Sequence, residues 1–474
     1  MPRSERVALA SIVACFALGY ALYGLFRHWH FGSSAYDLGI FDQVVWHLSR
    51  FEAPASSVRG FSNFLGDHFF PVLVLFAPLY WLAPRPETLI VAQAVLFAAS
   101  IVPVYLFTRD RLARGPALAM AVAYGCFWGL QRAAAFDVHE TAFATLAIAT
   151  AILAMDRRKW TLFWITAASM IFIKEDLIPL LGGFGVYLIL QGERRRGGIL
   201  IASSVAAFVL VIGFIIPAFS DAGAYGYASA YGDLLTRPWL IPLRLVTPVT
   251  KLETAMLWFA PFAFVSLASP LALLVVPIAL TRFLSVNPIH WGTVFHYSAP
   301  LAPILAMAAA DGLARIARRI GGPQGSALRV RAKWFTPAVA GACVVLSAFI
   351  PGRQPLWRVF APGHYRVNDT ERIGRTVIAM VPDDASVVAQ AAVVPHLSGR
   401  DEMYVLDAAA PEADYVVMSD DLSPWPAASV GELRMLVENR RTRGYTVIFE
   451  RSGWRVLRRS PAADTSNDPT SSSR

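Results

Sequence analysis

Residues Val7 to Phe26 form an uninterrupted stretch without a charged side chain, preceded by Arg3 and Arg6, and apolar runs of the same kind recur along most of the chain. A helix rising about 1.5 Å per residue needs roughly 20 such residues to cross the hydrocarbon core of a bilayer. With 56% hydrophobic and 16% charged residues among 474, the chain is outside the range of a soluble globular protein. It reads as a polytopic α-helical membrane protein, and Val7 to Phe26 reads as an uncleaved first helix because no small-residue cleavage site follows it.

Further apolar runs lie near residues 69–84, 88–107, 116–132, 141–155, 160–174, 177–191, 198–219, 252–268, 270–286, 297–313 and 334–350. Charge decides which of them cross. If the run at 69–84 lies along the membrane surface, the basic loops at 109–114, 157–159, 194–196 and 315–333 all fall on the side of the N-terminus, as the positive-inside pattern requires. That run is also short and bounded by Pro71, Pro78 and Pro84, which suits a surface helix. About eleven crossings result, with the N-terminus cytoplasmic; around Ser269 and Pro270 a re-entrant hairpin would give the same topology.

The net charge of +9 is accounted for by these loops and implies no nucleic-acid partner. Cys15, Cys126 and Cys343 lie inside apolar runs and suggest neither a disulfide framework nor a metal motif. After residue 350 the composition changes. Short β-type runs at 386–390, 403–406, 414–418, 446–449 and 454–457 alternate with a helical stretch at 430–441, and Arg451-Ser452-Gly453 fits a hairpin turn. Residues 1–350 are thus expected to form a transmembrane bundle with an external loop over 27–87. Residues 351–458 would form a small extracytoplasmic α/β domain, and 459–474 a disordered tail.

In this topology the acids and histidines gather on the outer side, where they face a cavity or pathway more readily than lipid. Asp37 and Asp42, five residues apart, are about 140° apart on a regular helix. On a loop entering a helix they converge as a general base for an incoming hydroxyl or as ligands of a divalent cation bridging a phosphate. Alternatively, Asp37 caps a helix through Val44 to Leu48 and Asp42 is solvated. Asp67-His68 suits metal ligation or, equally, a helix cap. Asp137 and Glu140 would share a helix face with His139 beside them. Lys174-Glu175-Asp176 interrupts two apolar runs, either as a paired interfacial hairpin or with Lys174 as a point charge for a phosphate. His290 and His296 flank Trp291 and Tyr297, a pattern that also fits an aromatic belt. There is no phosphate-cradling glycine loop, nucleophile elbow or zinc-ligand cysteine pair.

The stretches Tyr36-Asp37-Leu38-Gly39-Ile40-Phe41-Asp42-Gln43, Leu65-Gly66-Asp67-His68-Phe69, Phe136-Asp137-Val138-His139-Glu140, Lys174-Glu175-Asp176, Pro395-His396-Leu397-Ser398-Gly399-Arg400 and Ala413-Asp414-Tyr415-Val416-Val417 occur in this order. Together they resemble a family of bacterial predicted membrane proteins of unknown function, family 2079 of that kind, over nearly the whole chain. More distantly, the layout is similar to the C-type glycosyltransferases, which pass a sugar from a polyprenyl-phosphate donor to an acceptor on the outer face. That resemblance implies Asp37 as the acid of the first external loop, Asp137 as a second acid, and Lys174 at the donor phosphate, with Glu175 standing where a small residue is common. It also implies metal or acceptor contacts near Asp67 and His68.

The expected site accordingly comprises Asp37, Asp42 and Asp137 as catalytic acids. His139, Glu140, Lys174, Glu175, Asp176, His290 and His296 would bind substrate, and Asp67 and His68 a divalent cation. The leading expectation is an inverting glycosyltransferase of the bacterial plasma membrane, moving a hexose or pentose from a polyprenyl-phosphate donor to an envelope glycan, lipid or protein. A transporter would place charges near the bilayer midplane and show internal repeats, whereas this sequence places its acids at one edge and shows no repeat. A non-catalytic envelope assembly protein is the third reading.

Overall fold

A computed structural model describes residues 1–234, 236–321, 328–350 and 352–460. The tail expected at 459–474 therefore lies, from 461 onward, outside the described residues, as does 322–327 within the expected basic loop. The chain divides into two compact units. One comprises Met1–Trp29, Val44–Ser56 and Phe61–Arg366; the other comprises His30–Gln43, Ser57–Gly60 and the residues from Val367. The segments 30–43 and 57–60 thus belong with the C-terminal residues rather than with the helical bundle.

The first unit is helical. Four segments are long and apolar enough to cross a membrane: Arg3–Trp29, Pro86–Arg109, Arg194–Phe219 and His296–Ile320. Shorter apolar helices include Thr141–Asp156 and Trp160–Ile173. The helix Leu301–Gly321 is the centre of the packing. Its Ala302, Ala306, Ala308, Ala309 and Ala310 are wholly buried, because small side chains let neighbouring backbones approach where no water drives association. By contrast, Val205, Val209, Leu210 and Phe214 of the Arg194–Phe219 segment are exposed, as a lipid-facing surface requires. Helices Ile178–Leu190 and Arg194–Leu210 cross at Gly185 and Gly197, where a Cβ on Gly197 would stand 2.4 Å from the Gly185 carbonyl oxygen.

Two expected runs take a different form. The runs at 252–268 and 270–286 become a helix Thr250–Phe259, three short 3-10 turns and a helix Val275–Phe283. Left-handed backbone at Ala263 and Phe264 ends the first of the turns, and Pro270 starts the last. Irregular backbone at membrane depth persists only where protein covers it. Here Ser266 and Ser269 are buried and donate to the Leu305 carbonyl (3.0 Å) and the Asp311 carboxylate (2.7 Å) of the central helix. The surface run is a 3-10 segment Pro71–Phe76 continued by a single helical turn Ala77–Tyr80, shorter than 69–84 because Pro71 and Pro78 restart the chain. It is two-sided: Leu73, Phe76 and Tyr80 are buried, while Val74, Leu75 and Leu79 are exposed.

The second unit is built on a five-stranded sheet of β1 (Val387–Ala389), β2 (Met403–Val405), β3 (Tyr415–Ser419), β4 (Tyr445–Arg451) and β5 (Trp454–Arg459), in the order β2-β1-β3-β5-β4. β1 pairs in parallel with β2 and β3, whereas β5 is antiparallel to β3 and β4. All five apolar runs read from the sequence became strands, and the helix Val430–Arg441 has the expected limits. Its Leu433 and Val437 pack on Val416 and Leu457 of the sheet. The β4–β5 link is the two-residue turn Ser452-Gly453, both with positive φ (47° and 77°), the geometry that matches strand twist.

Tyr36 to Gln43 packs within this unit. Ser34 caps a π-helical turn Ala35–Gly39 that runs into the helix Ile40–Ser49, so Asp37 sits inside the turn and does not cap a later helix. Asp42 is buried rather than solvated, at 1% exposure, and accepts from the Ser398 hydroxyl at 2.8 Å. The Gln43 amide donates to the carbonyls of Arg400 (2.9 Å) and Asp401 (3.1 Å), and the Ala35 N–H donates to the Ala391 carbonyl at 2.9 Å. Two sequence motifs more than 350 residues apart thus form one polar seam.

Candidate active site

The helix Trp160–Ile173 stops because Lys174 adopts an extended backbone, and a 3-10 turn Glu175–Leu177 leads into the helix Ile178–Leu190. Three charged side chains therefore leave the chain from one turn between two apolar helices. Each goes to a different environment.

The Lys174 ammonium pairs with the Glu140 carboxylate at 2.8 Å, and both residues are buried, Glu140 completely. The partner is not the adjacent Glu175. Glu175 instead binds the His68 imidazole at 2.6 Å and accepts the Phe69 N–H at 3.0 Å. The Tyr225 hydroxyl adds a longer hydrogen bond at 3.3 Å. The Tyr227 ring stacks on His68 at 4.5 Å between centroids, and its hydroxyl donates to Asp67 at 3.1 Å. Gly66 lets this loop approach, since a Cβ there would meet the Phe219 carbonyl oxygen at 2.3 Å.

A cavity of about 100 Å³ opens among His68, Lys174, Asp176, Arg282, His290 and Tyr297. Arg282 is 5% exposed and holds the 290–298 segment in place, donating to the carbonyls of His290, Gly292 and Tyr297 and to the Ser298 hydroxyl. No carboxylate lies in ion-pair range of it among the described residues. His290 in turn shares a 2.8 Å hydrogen bond with the Ser285 hydroxyl.

Burial alone would discharge every one of these groups, so their charge states depend on their neighbours. For His68, burial works against the charged form, but Glu175 outweighs it and the imidazole titrates above its usual value. Glu175 is likewise penalised by burial and rescued by His68, which brings its carboxyl down to about 2. Burial opposes the charges of Lys174 and Glu140 too, and their pairing overcomes it, raising the lysine and lowering the acid. Asp176 behaves differently. Burial pushes it up, the negative Glu175 and Glu140 add to that push, Lys174 only partly offsets them, and the carboxyl titrates at about 6.

Phe136 to Glu140 is not one helical face. Asp137 takes a left-handed backbone (φ 77°) that separates it from Glu140; its carboxylate pairs with Arg27 and its carbonyl accepts from Gln93 at 2.9 Å. The Gln93 oxygen accepts the His139 N–H at 3.0 Å. His139 stacks on His296 with centroids 3.7 Å apart, and His296 is 4% exposed, buried rather than part of an outer aromatic belt. The structure thus gathers His68, Lys174, Glu175, Asp176 and His290, with Glu140 behind Lys174. It gives Asp137 a separate partner and assigns Asp37 and Asp42 to the second unit. As a cation site, Asp67 and His68 fit poorly: the His68 nitrogen faces Glu175 in a charged pair, and the Asp67 oxygen takes the Tyr227 hydroxyl.

Arg27, Gln93, Arg282 and the tyrosines 225, 227 and 231 were not foreseen, and Tyr297 entered only as a neighbour of His290 and His296. Gln93 and Arg282 carried a usable signal, a strongly polar residue inside an apolar run. The loop tyrosines carried none.

A family model described as "Predicted membrane protein (DUF2079)" matches residues 27–456. Among solved structures, the chain resembles ArnT from Cupriavidus metallidurans bound to undecaprenyl phosphate, with a TM-score of 0.55 and 14% identity, covering 96% of this chain and 99% of that one. The same protein in the apo state gives a TM-score of 0.51 at the same identity and coverage. No curated protein matches the sequence.

Proposed function

The chain belongs to the DUF2079 family of predicted membrane proteins, and from that premise we propose that it is a membrane-embedded glycosyltransferase, moving a sugar from a polyprenyl-phosphate donor to an envelope acceptor. The fold likeness to a protein that binds undecaprenyl phosphate supports this reading. The observation that carries it is the cavity. His68 and Lys174 are each balanced by a buried carboxylate, and Arg282 adds a buried positive charge with no carboxylate of its own. With Asp176 ionised, cations and carboxylates balance in number around the cavity, so it is the position of Lys174 and Arg282 at its wall that favours an anion there, most strongly for charge that develops during reaction. A phosphate leaving an anomeric carbon has that character. Attack from the opposite face would invert the configuration, for a hexose or a pentose alike. No step is routed through a divalent cation.

The proposal places the site on the outer face. Helices Thr141–Asp156 and Trp160–Ile173 run from the ends that bear Glu140 and Lys174 to the shared basic turn Arg157-Arg158-Lys159. The helix Ile178–Leu190 likewise leads away from Asp176 toward Arg194-Arg195-Arg196. Basic turns at the far end belong in the cytoplasm under the positive-inside rule. Eleven crossings, a cytoplasmic N-terminus and an outer second unit complete this topology in the bacterial plasma membrane.

The test compares lipid-linked sugars and envelope glycans in a deletion strain complemented with wild type or with Lys174→Met. The expected result is accumulation of a polyprenyl-phosphate sugar, or loss of a glycan modification, that only wild type reverses. The catalytic parts expected of Asp37, Asp42 and Asp137 are tested by complementing with each changed to Asn. An unchanged lipid and glycan profile on deletion would overturn the transferase reading and put transport or assembly first.

A further inference from the structure

We propose that Asp176 is the proton acceptor of the transfer, taking the proton of the acceptor hydroxyl as the glycosidic bond forms; this deepens the glycosyltransferase reading and rests on it. The argument is one of placement. Of the three acids around the cavity, Glu140 is held by Lys174 and Glu175 by His68 and the Phe69 N–H. Asp176 lines the cavity, half-buried, with no hydrogen bond or ion pair to its carboxylate among the described residues. A carboxylate beside cations in a partly buried site ordinarily pairs with one of them. Here Lys174 is turned to Glu140, and Arg282 is committed to the backbone of the 290–298 segment. The free carboxylate is therefore built into the turn.

The charged and titratable groups facing Asp176 come from every element around it. Lys174 and Glu175 share its own turn, and Glu140 comes from the start of the helix Thr141–Asp156. His68 comes from the loop before the surface segment, Tyr225 and Tyr231 from the loop after residue 220, and Arg282 and Tyr297 from the far wall. Two negative neighbours and burial make this carboxyl a stronger base than an ordinary aspartate, titrating at about 6 yet ionised at neutral pH.

The step balances. The acceptor O–H gives its proton to an Asp176 carboxylate oxygen while the acceptor oxygen bonds to the anomeric carbon. The bond from that carbon to the phosphate oxygen breaks, and its electron pair leaves with the polyprenyl phosphate, whose negative charge faces Lys174 and Arg282. Asp176 then returns the proton to water.

The experiment measures sugar transfer by the full-length protein in membranes of the deletion strain, using the lipid-linked sugar that strain accumulates, from about pH 5 to 8. Wild type is expected to lose roughly tenfold in rate per pH unit below about 6. Asp176→Asn, of the same size and without charge, is expected to fall by about 100-fold or more and to lose that acid limb. Asp176→Glu should keep a limb at reduced rate. Asp176→Asn that transfers within about threefold of wild type, or retains the acid limb, overturns the assignment while the transferase reading stands. An acid limb that disappears in Asp37→Asn and persists in Asp176→Asn moves the role to Asp37. Wild type that transfers at no pH overturns both the reading and the assignment.

Discussion

The turn Lys174-Glu175-Asp176 and the segment Tyr36 to Gln43 are both short acidic stretches next to apolar helices, and folding puts them to opposite uses. In the segment, Asp42 accepts from a serine hydroxyl and Gln43 donates to the backbone carbonyls of Arg400 and Asp401. In the turn, Lys174 and Glu175 each meet an opposite charge from elsewhere in the chain, and the Asp176 carboxylate is left facing a cavity. A buried acid bound across to a distant part of the chain stitches a fold together. A buried acid left over among paired charges keeps its reactivity. Both stretches set carboxylates beside apolar helices, and the partner each one meets is what separates structure from chemistry.

The contrast breaks most severely at Lys174. Lys174→Met leaves the Glu140 carboxylate wholly buried and unpaired, which should cost about 3–5 kcal/mol, read as a lower unfolding temperature in detergent. Adding Glu140→Gln should recover most of that stability without restoring transfer. A double variant that transfers sugar would remove Lys174 from the phosphate site.

His68 sharpens the comparison through pH. Its titration is raised on folding, so the stability it contributes with Glu175 is complete below its ordinary value near 6.5 and is lost as pH rises through the raised value. Glu175 is lowered to about 2, so its share persists on the acid side until pH falls toward that value. The unfolding temperature of wild type should therefore drop on the alkaline side more steeply than that of His68→Gln. Parallel curves for the two proteins would mean that the pair is not charged in the folded state. The smallest effect is expected in the seam. Ser398→Ala removes one donor to Asp42, which keeps other contacts, and should cost about 1 kcal/mol. Faster hydrogen exchange over residues 35–43 and 394–400 would register it.

Much of the second unit was legible because each strand is a short apolar run ended by turn chemistry. Ser452-Gly453 and the helix Val430–Arg441 rest on local signals alone. The membrane character was legible for the same reason. Of the broken segment at 260–274, only the interruption around Ser269 and Pro270 was legible; the left-handed backbone at Ala263 and Phe264, neither a glycine, carried no signal. At the site, Lys174-Glu175-Asp176 stood out as charge between apolar runs, and Asp137 and Glu140 stood out as a pair. Their pairing did not follow from spacing. The φ of 77° at Asp137 sends its carboxylate to Arg27, leaving Glu140 to Lys174.

By itself, then, the sequence determined that this chain lives in a membrane, where its basic turns fall along the chain, that it carries a small sheet at its C-terminal end, and which polar residues were too costly to be incidental. These are local properties, set by the free energy of moving each residue type between water and lipid and by short-range backbone preference. Only the tertiary structure decided which acid meets which base. His68 and Glu175 are 107 residues apart and still lie at 2.6 Å, while the adjacent Lys174 and Glu175 take different partners. Charge pairing acts over a few ångströms of space and is indifferent to distance along the chain, so the role left to Asp176 emerges only once every neighbour has been claimed.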